Sequence, residues 1–75
     1  MSVRQVLVDY FQLFAGVSVA NGTRVEDILP DDVAVADMII HVEAEYDNVD
    51  LEIEAFDECI NFADVVEVVE DVVIV

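Results

Sequence analysis

Positive charge is almost missing from this chain. Arg4 and Arg24 stand against 18 aspartates and glutamates, giving a formal net charge of −16 in 75 residues. Two arginines cannot build a basic patch, so binding to nucleic acid or to an anionic membrane is not expected. Cysteine occurs once, at Cys59, which rules out an intramolecular disulfide and with it a secreted disulfide scaffold. Histidine also occurs once, at His41, and a metal site needs more imidazole or thiolate ligands than His41 and Cys59 supply. The two glycines, Gly16 and Gly22, form no glycine-rich phosphate loop. No uninterrupted apolar run exceeds a few residues, and no signal peptide is visible, so no membrane span is expected and the cytoplasm is the expected location. Residues 47–58 have the length of a calcium loop, but Val49 and Glu52 occupy positions that require a ligand and a glycine. No serine–histidine–aspartate set appears. Paired carboxylates are plentiful, yet acid–base catalysis needs them in split environments within a cleft, so no enzymatic activity is expected.

What the chain does have is apolar bulk, 57% of its residues. That fraction predicts a compact fold, and 75 residues allow one domain over residues 1–75, with a stability of about 3–5 kcal/mol for a chain this small. A monomer is expected. Self-repulsion among the carboxylates is considerable, and salt should relieve it. The expected partners are basic surfaces. The acidity itself admits three readings: a docking face for basic enzymes, a halophilic habit, or imitation of a nucleic-acid backbone.

The stretch over residues 25–47, VEDILPDDVAVADMIIHVEAEYD, organises the rest. Val33, Ala36, Ile40 and Tyr46 recur at near-helical steps, and Met38, Ile39 and Val42 widen the stripe. Asp37, Glu43, Glu45 and Asp47 fall mostly outside it, which predicts an acidic amphipathic helix over residues 31–47. Pro30 and the pair Asp31–Asp32 supply its start, where a carboxylate can cap free amides and meet the positive end of the helix dipole. Residues 3–17 predict a first helix, with Val6, Leu7, Tyr10, Phe11, Leu13, Phe14 and Val17 on one side, Ser2 as cap and Gly16 at the end. Asn21-Gly22 marks a turn within the loop over residues 18–24. Val49, Leu51 and Ile53 alternate with acids, so residues 48–52 read as extended, followed by a short helix within residues 54–59. Phe62, Val65, Val66, Val69 and Val72 oppose Asp64, Glu67 and Asp71, a last helix within residues 60–75 despite the poor helix propensity of valine. The apolar tail Val72-Val73-Ile74-Val75 packs back on the core, pairs with a partner, or marks a truncation.

The central stretch resembles the heart of an acyl carrier protein, a family that commonly reads V-E-D-L-G-A-D-S-L before an acidic helix ending in E-E-E-F-D. Val25, Glu26, Asp27, Ile28, Leu29, Pro30 and Asp31 match or replace the approach. Val33, Asp37, Met38, Ile39, Val42, Glu43, Glu45, Tyr46 and Asp47 match or conservatively replace the helix. The first helix, closing on Ala15-Gly16-Val17, and the last, with Ile60, Phe62, Ala63, Asp64, Val66, Glu67 and Val69, also fit the family pattern, so the likeness spans nearly the whole chain in order. It implies an all-α fold, an acyl-carrier-protein-like bundle of three main helices plus one short helix. The family can hold an acyl chain between its helices, and Val33, Ala36, Ile40, Val42, Phe62 and Val66 would permit that cavity to persist or to collapse.

The chain departs from the family at the decisive position. Where the family has the serine that receives phosphopantetheine, this chain has Asp32. A carboxylate in that role would give a mixed anhydride, which hydrolyses readily. Ser2, Ser18 and Thr23 lie elsewhere. No cofactor is therefore expected, and the resemblance implies a carrier-like protein of fatty-acid, polyketide or lipid biosynthesis that acts by contact. The alternatives are an ordinary acyl carrier protein carrying a Ser-to-Asp change and an acidic nucleic-acid-mimicking inhibitor. Asp32 reads either as a helix cap or as a permanent charge where a phosphate would sit. Asp31, Asp32, Asp37, Glu43, Glu45 and Asp47 form the candidate docking surface for basic surfaces of acyl-chain or lipid-synthesis enzymes. His41 reads as a half-buried helix residue. Cys59, flanked by Asp57 and Glu58, reads as an inert thiol.

Overall fold

The computed structural model describes residues 2–73 of the chain. Its first helix, α1, spans Val3–Tyr10 and continues into a π-helical turn over Phe11–Ala15. The Ser2 hydroxyl caps it by accepting the Gln5 amide at 3.1 Å, as the sequence predicts. The expected helix over residues 3–17 stops short, because Gly16 takes a left-handed conformation (φ 67°) that only glycine adopts without strain. The amides of Gly16 and Val17 both reach back to the Phe11 carbonyl, so the last turn is wide. This changes which residues face the core. Phe11 is buried, whereas Leu13 and Phe14, expected inside, are 78% and 68% exposed.

A turn at Asn21-Gly22 follows, closed by the Thr23 amide on the Ala20 carbonyl (3.0 Å) and by the Ala20 amide on the Thr23 hydroxyl (2.9 Å). The approach to the acidic helix forms a single helical turn of its own, α2, Val25–Ile28. The acidic helix α3 spans Asp32–Glu45, slightly inside the expected limits. Asp47 and Asn48 form a turn, with Asn48 in the left-handed region (φ 62°), so the stretch expected to be extended from residue 48 begins one residue later. It makes no strand pairing, with Leu51 buried and Val49 and Ile53 half-buried. The short helix is present as a 3-10 turn, Ile53–Phe56, which starts earlier and ends sooner than expected.

The last helix, α4, spans Phe62–Val72 and owes its start to a capping box. The Asn61 side chain accepts the Asp64 amide at 3.2 Å, while the Asp64 carboxylate accepts the amides of Ile60 and Asn61 at 3.0 and 3.3 Å. Three amides are thereby paired at a helix start that valine alone would not favour. Val73 is buried against the core, so the tail packs back as far as it is described; Ile74 and Val75 lie outside the described residues.

No strand occurs among the described residues, and the fold is all-α. α1 packs against α3 and α4, and the 3-10 turn packs against α3 and α4. Leu7, Phe11, Met38, Val42, Phe62, Val65 and Val69 are completely buried where these elements meet. Phe11 and Phe62 make an edge-to-face pair with centroids 6.1 Å apart. The radius of gyration of 11.0 Å equals that of a compact domain of this length, roughly 11 Å. A backbone clamp ties α2 to α4. The Val25 amide bonds the Ile60 carbonyl (3.0 Å), and the Phe62 amide bonds the Thr23 carbonyl (2.7 Å).

Candidate functional site

The start of α3 is built by Asp31. Its backbone is extended (φ −150°, ψ 174°), and its carboxylate accepts the Ala34 amide at 2.9 Å. The capping role considered for Asp32 therefore belongs to its neighbour. Asp32 is the first residue of the helix, exposed, with its charge in the favourable field of the helix N-terminus.

Asp32 lines a cleft of about 420 Å³ that lies between α2, the start of α3 and the 3-10 turn. Leu29, Val35, Ile53 and Phe56 give it apolar walls, and Cys59 contributes its half-buried thiol. Burial pushes the Cys59 thiol up from its ordinary value, with the Asp64 carboxylate adding to the effect. The thiolate is thus disfavoured as expected, but by burial and Asp64 rather than by the flanking acids. The Arg24–Glu26 ion pair (3.1 Å) also borders the cleft, and the α2–α4 clamp fixes its end at Val25 and Ile60. The cleft is within the size range of small-molecule sites, roughly 300–1,000 Å³.

The six acids expected to form one docking surface are all exposed but do not share one face or one duty. Asp31 is committed to the cap. Glu43 accepts the Leu51 amide at 3.3 Å and so fastens the extended link to α3. At about 100° per residue, Asp32 and Glu43 fall along one margin of the outward face and Glu45 along the other. Asp47 lies past the helix end. Between the margins run Val33, Asp37, Ile40 and Ala44, spaced by four, three and four. Val33 is 69% and Ile40 65% exposed, which corrects their expected place in the core stripe. The buried set is instead Val35, Met38, Ile39 and Val42. Of the residues expected to enclose an acyl chain, Val42, Phe62 and Val66 are buried, Ala36 is half-buried, and Val33 and Ile40 face solvent.

A second concavity, about 510 Å³, lies where this outward face meets the wide turn of α1. Tyr10, Phe14, Asp37, Ile40, His41 and Ala44 line it. The ring of His41 sits 4.9 Å from Tyr10 and 5.5 Å from Phe14, and Tyr10 and Phe14 are 5.2 Å apart. His41 is half-buried, as expected. Burial raises the Tyr10 hydroxyl above its ordinary value, and the nearby Asp37 charge raises it further. Sequence periodicity assigned Tyr10, Phe14 and Ile40 to the interior. The one available signal was that residues 35, 38, 39 and 42 form a bulkier alternative stripe than residues 33, 36 and 40. No helix among the described residues is long and apolar enough to cross a membrane. Comparison with protein-family models, with curated proteins and with solved structures gives no match to this chain.

Proposed function

We propose that this chain is an acyl-carrier-like, non-enzymatic protein that docks on basic surfaces of acyl-chain or lipid-synthesis enzymes and carries no phosphopantetheine. The carrying observation is the position of Asp32. It stands exposed at the first residue of the acidic helix, at the border of an apolar-walled cleft. In the family that the chain resembles, the arm is attached at the start of this helix. The donor there is a carboxylate, whose phosphoryl adduct is an acyl phosphate that water cleaves, so the residues present do not fit a durable prosthetic group. What remains is contact. With a net charge of −16, long-range attraction speeds encounter with a basic partner more than it deepens the final affinity. The apolar centre of the α3 face supports protein docking over imitation of nucleic acid, which would need carboxylates along that line.

The test is incubation with coenzyme A and a phosphopantetheinyl transferase of broad specificity, read by intact mass. The chain should gain no stable adduct, while Asp32→Ser should gain one arm per chain. An adduct on the unaltered chain overturns the reading. Refusal by Asp32→Ser, with its helical spectrum unchanged, removes the carrier-like part of it.

A further inference from the structure

The groove between α1 and α3 is an unfilled apolar seat with acid around it. Phe14 and Ile40 are 68% and 65% exposed there, and Leu13 beside Phe14 is 78% exposed. Phe14 is presented by the π turn, a local widening that recurs at functional sites and brings its ring onto His41 and Tyr10. From Val33 to Ala44 the outward line of α3 runs eleven residue steps, about 16 Å at helical rise. That matches three turns of a second helix laid alongside, the mode in which an amphipathic helix sets its apolar face into a groove.

Charge chooses among the occupants. Asp37 lies inside the groove, and on the outward face of α3 that forms one wall of it Asp32 and Glu43 fall along one margin and Glu45 along the other. Neither arginine answers them. Arg4 donates to Asn21 and lies over the Phe62 ring at 5.4 Å, and Arg24 pairs with Glu26. A second copy would bring a further −16, with only Arg4 and Arg24 to set against it. An anionic lipid surface is repelled for the same reason. An apolar centre framed by one sign of charge has the make-up of a protein interface with a charged rim.

We propose that the Tyr10–Phe14–Ile40–His41 groove is a docking site for a basic amphipathic helix of a partner protein, its apolar face on Phe14 and Ile40 and a lysine or arginine beside Asp37. The inference rests on the docking reading above only for the sign of the partner's charge. It does not need the carrier likeness.

The probe is a fluorescent leucine–lysine peptide of about five helical turns, roughly 18 residues, titrated into the full chain with amide shifts followed by NMR. A scrambled peptide of equal charge and no apolar face serves as control. Saturable one-to-one binding is expected, with the largest shifts at Phe14, Ile40, His41 and Ala44. The scramble should bind at least about tenfold more weakly, and Phe14→Ser and Ile40→Gln should each weaken the leucine–lysine peptide by roughly tenfold, the loss expected of anchor residues. Ile40→Leu should bind normally. Both altered side chains are exposed, so folding should persist and circular dichroism checks it. Equal affinity for the scramble overturns the groove, as does indifference to both substitutions. Shifts confined to Asp32, Val35 and Ile53 would overturn it while leaving docking at the α3 start intact. Sedimentation showing Phe14-dependent self-association would make a second copy the occupant and overturn the proposal. Displacement of the peptide's shifts by uncharged phosphatidylcholine vesicles would do the same in favour of lipid.

Discussion

Asp31 and Asp32 are adjacent acids with different work. Asp31 has the extended backbone of a cap and bonds the Ala34 amide; Asp32 already has helical company and contributes only charge. Asp31→Ala should therefore cost about 1 kcal/mol, a drop in Tm of roughly 4–8 °C for a domain this size. Asp32→Ala should cost less, because losing a dipole contact of about 0.3–1 kcal/mol is offset by relief of repulsion. Urea midpoints compare the two, and a larger loss at Asp32 would reverse the assignment. The sequence made the start of the helix legible through Pro30 and the two acids, but not which acid caps, since that is decided by backbone angles either residue could adopt. Tyr10 carries a separate prediction. Burial, then Asp37, raises its folded value above the ordinary 10.0, so the unfolded chain ionises first as pH rises. Its contribution to stability is whole below about pH 10 and is lost as pH climbs through the raised value. Thermal unfolding of Tyr10→Phe should show a shallower alkaline loss than the parent chain. Superimposable alkaline limbs would remove Tyr10 from that role.

The elements were legible where burial and periodicity agree, and illegible where backbone geometry intervenes. α4 is the clear success: Phe62, Val65, Val66 and Val69 are buried and Glu67 and Asp71 exposed, as the spacing predicts. Its capping box was overlooked because Asn61 and Asp64 replace the commoner serine and glutamate. α3 is harder to read because it is apolar on two faces, so the set at residues 35, 38, 39 and 42 and the set at residues 33, 36 and 40 compete. The bulkier set fills the core, Val33 and Ile40 of the other lie on the outward face, and Ala36 is half-buried between them. At α1 a regular helix was expected through residue 17, and nothing in local composition announces a turn that closes over one residue too many. Gly16 is the position where this can be tested. A methyl group there would meet nothing within 4 Å, so Gly16→Ala isolates the conformational cost of φ 67°. The loss should be about 1–2 kcal/mol, with a matching fall in urea midpoint. Phe14 fluorescence is too weak to follow, but the amide shifts of Gln12 to Val17 should move together. A neutral substitution would mean that the left-handed stop does not hold the wide turn in place.

For the whole molecule, the dominant fact is the mismatch between size and charge. The domain measures 28 × 24 × 19 Å and carries a net −16. At about 0.01 M salt the Debye length is roughly 30 Å, so every carboxylate feels every other; at about 1 M it is roughly 3 Å, and only near neighbours interact. Folding gathers these charges, and the one salt bridge among the described residues, Arg24–Glu26, is exposed and contributes little. Apolar burial supplies the opposing force and strengthens in salting-out anions such as sulfate, whereas screening depends on ionic strength alone. The two effects separate by choice of salt. Tm should rise steeply with sodium chloride at low concentration and flatten once the Debye length is shorter than the spacing of surface acids. Sodium sulfate at equal ionic strength should follow the same early rise and then continue upward. A Tm that ignores sodium chloride below about 0.1 M, where the Debye length is still roughly 10 Å, would show that repulsion is not what limits this fold. A basic partner would then have no electrostatic stress to relieve, and binding a polycation such as the leucine–lysine peptide would raise Tm only by mass action. If repulsion does limit the fold, the same peptide should raise Tm most at low salt, and the increment should shrink as salt replaces it.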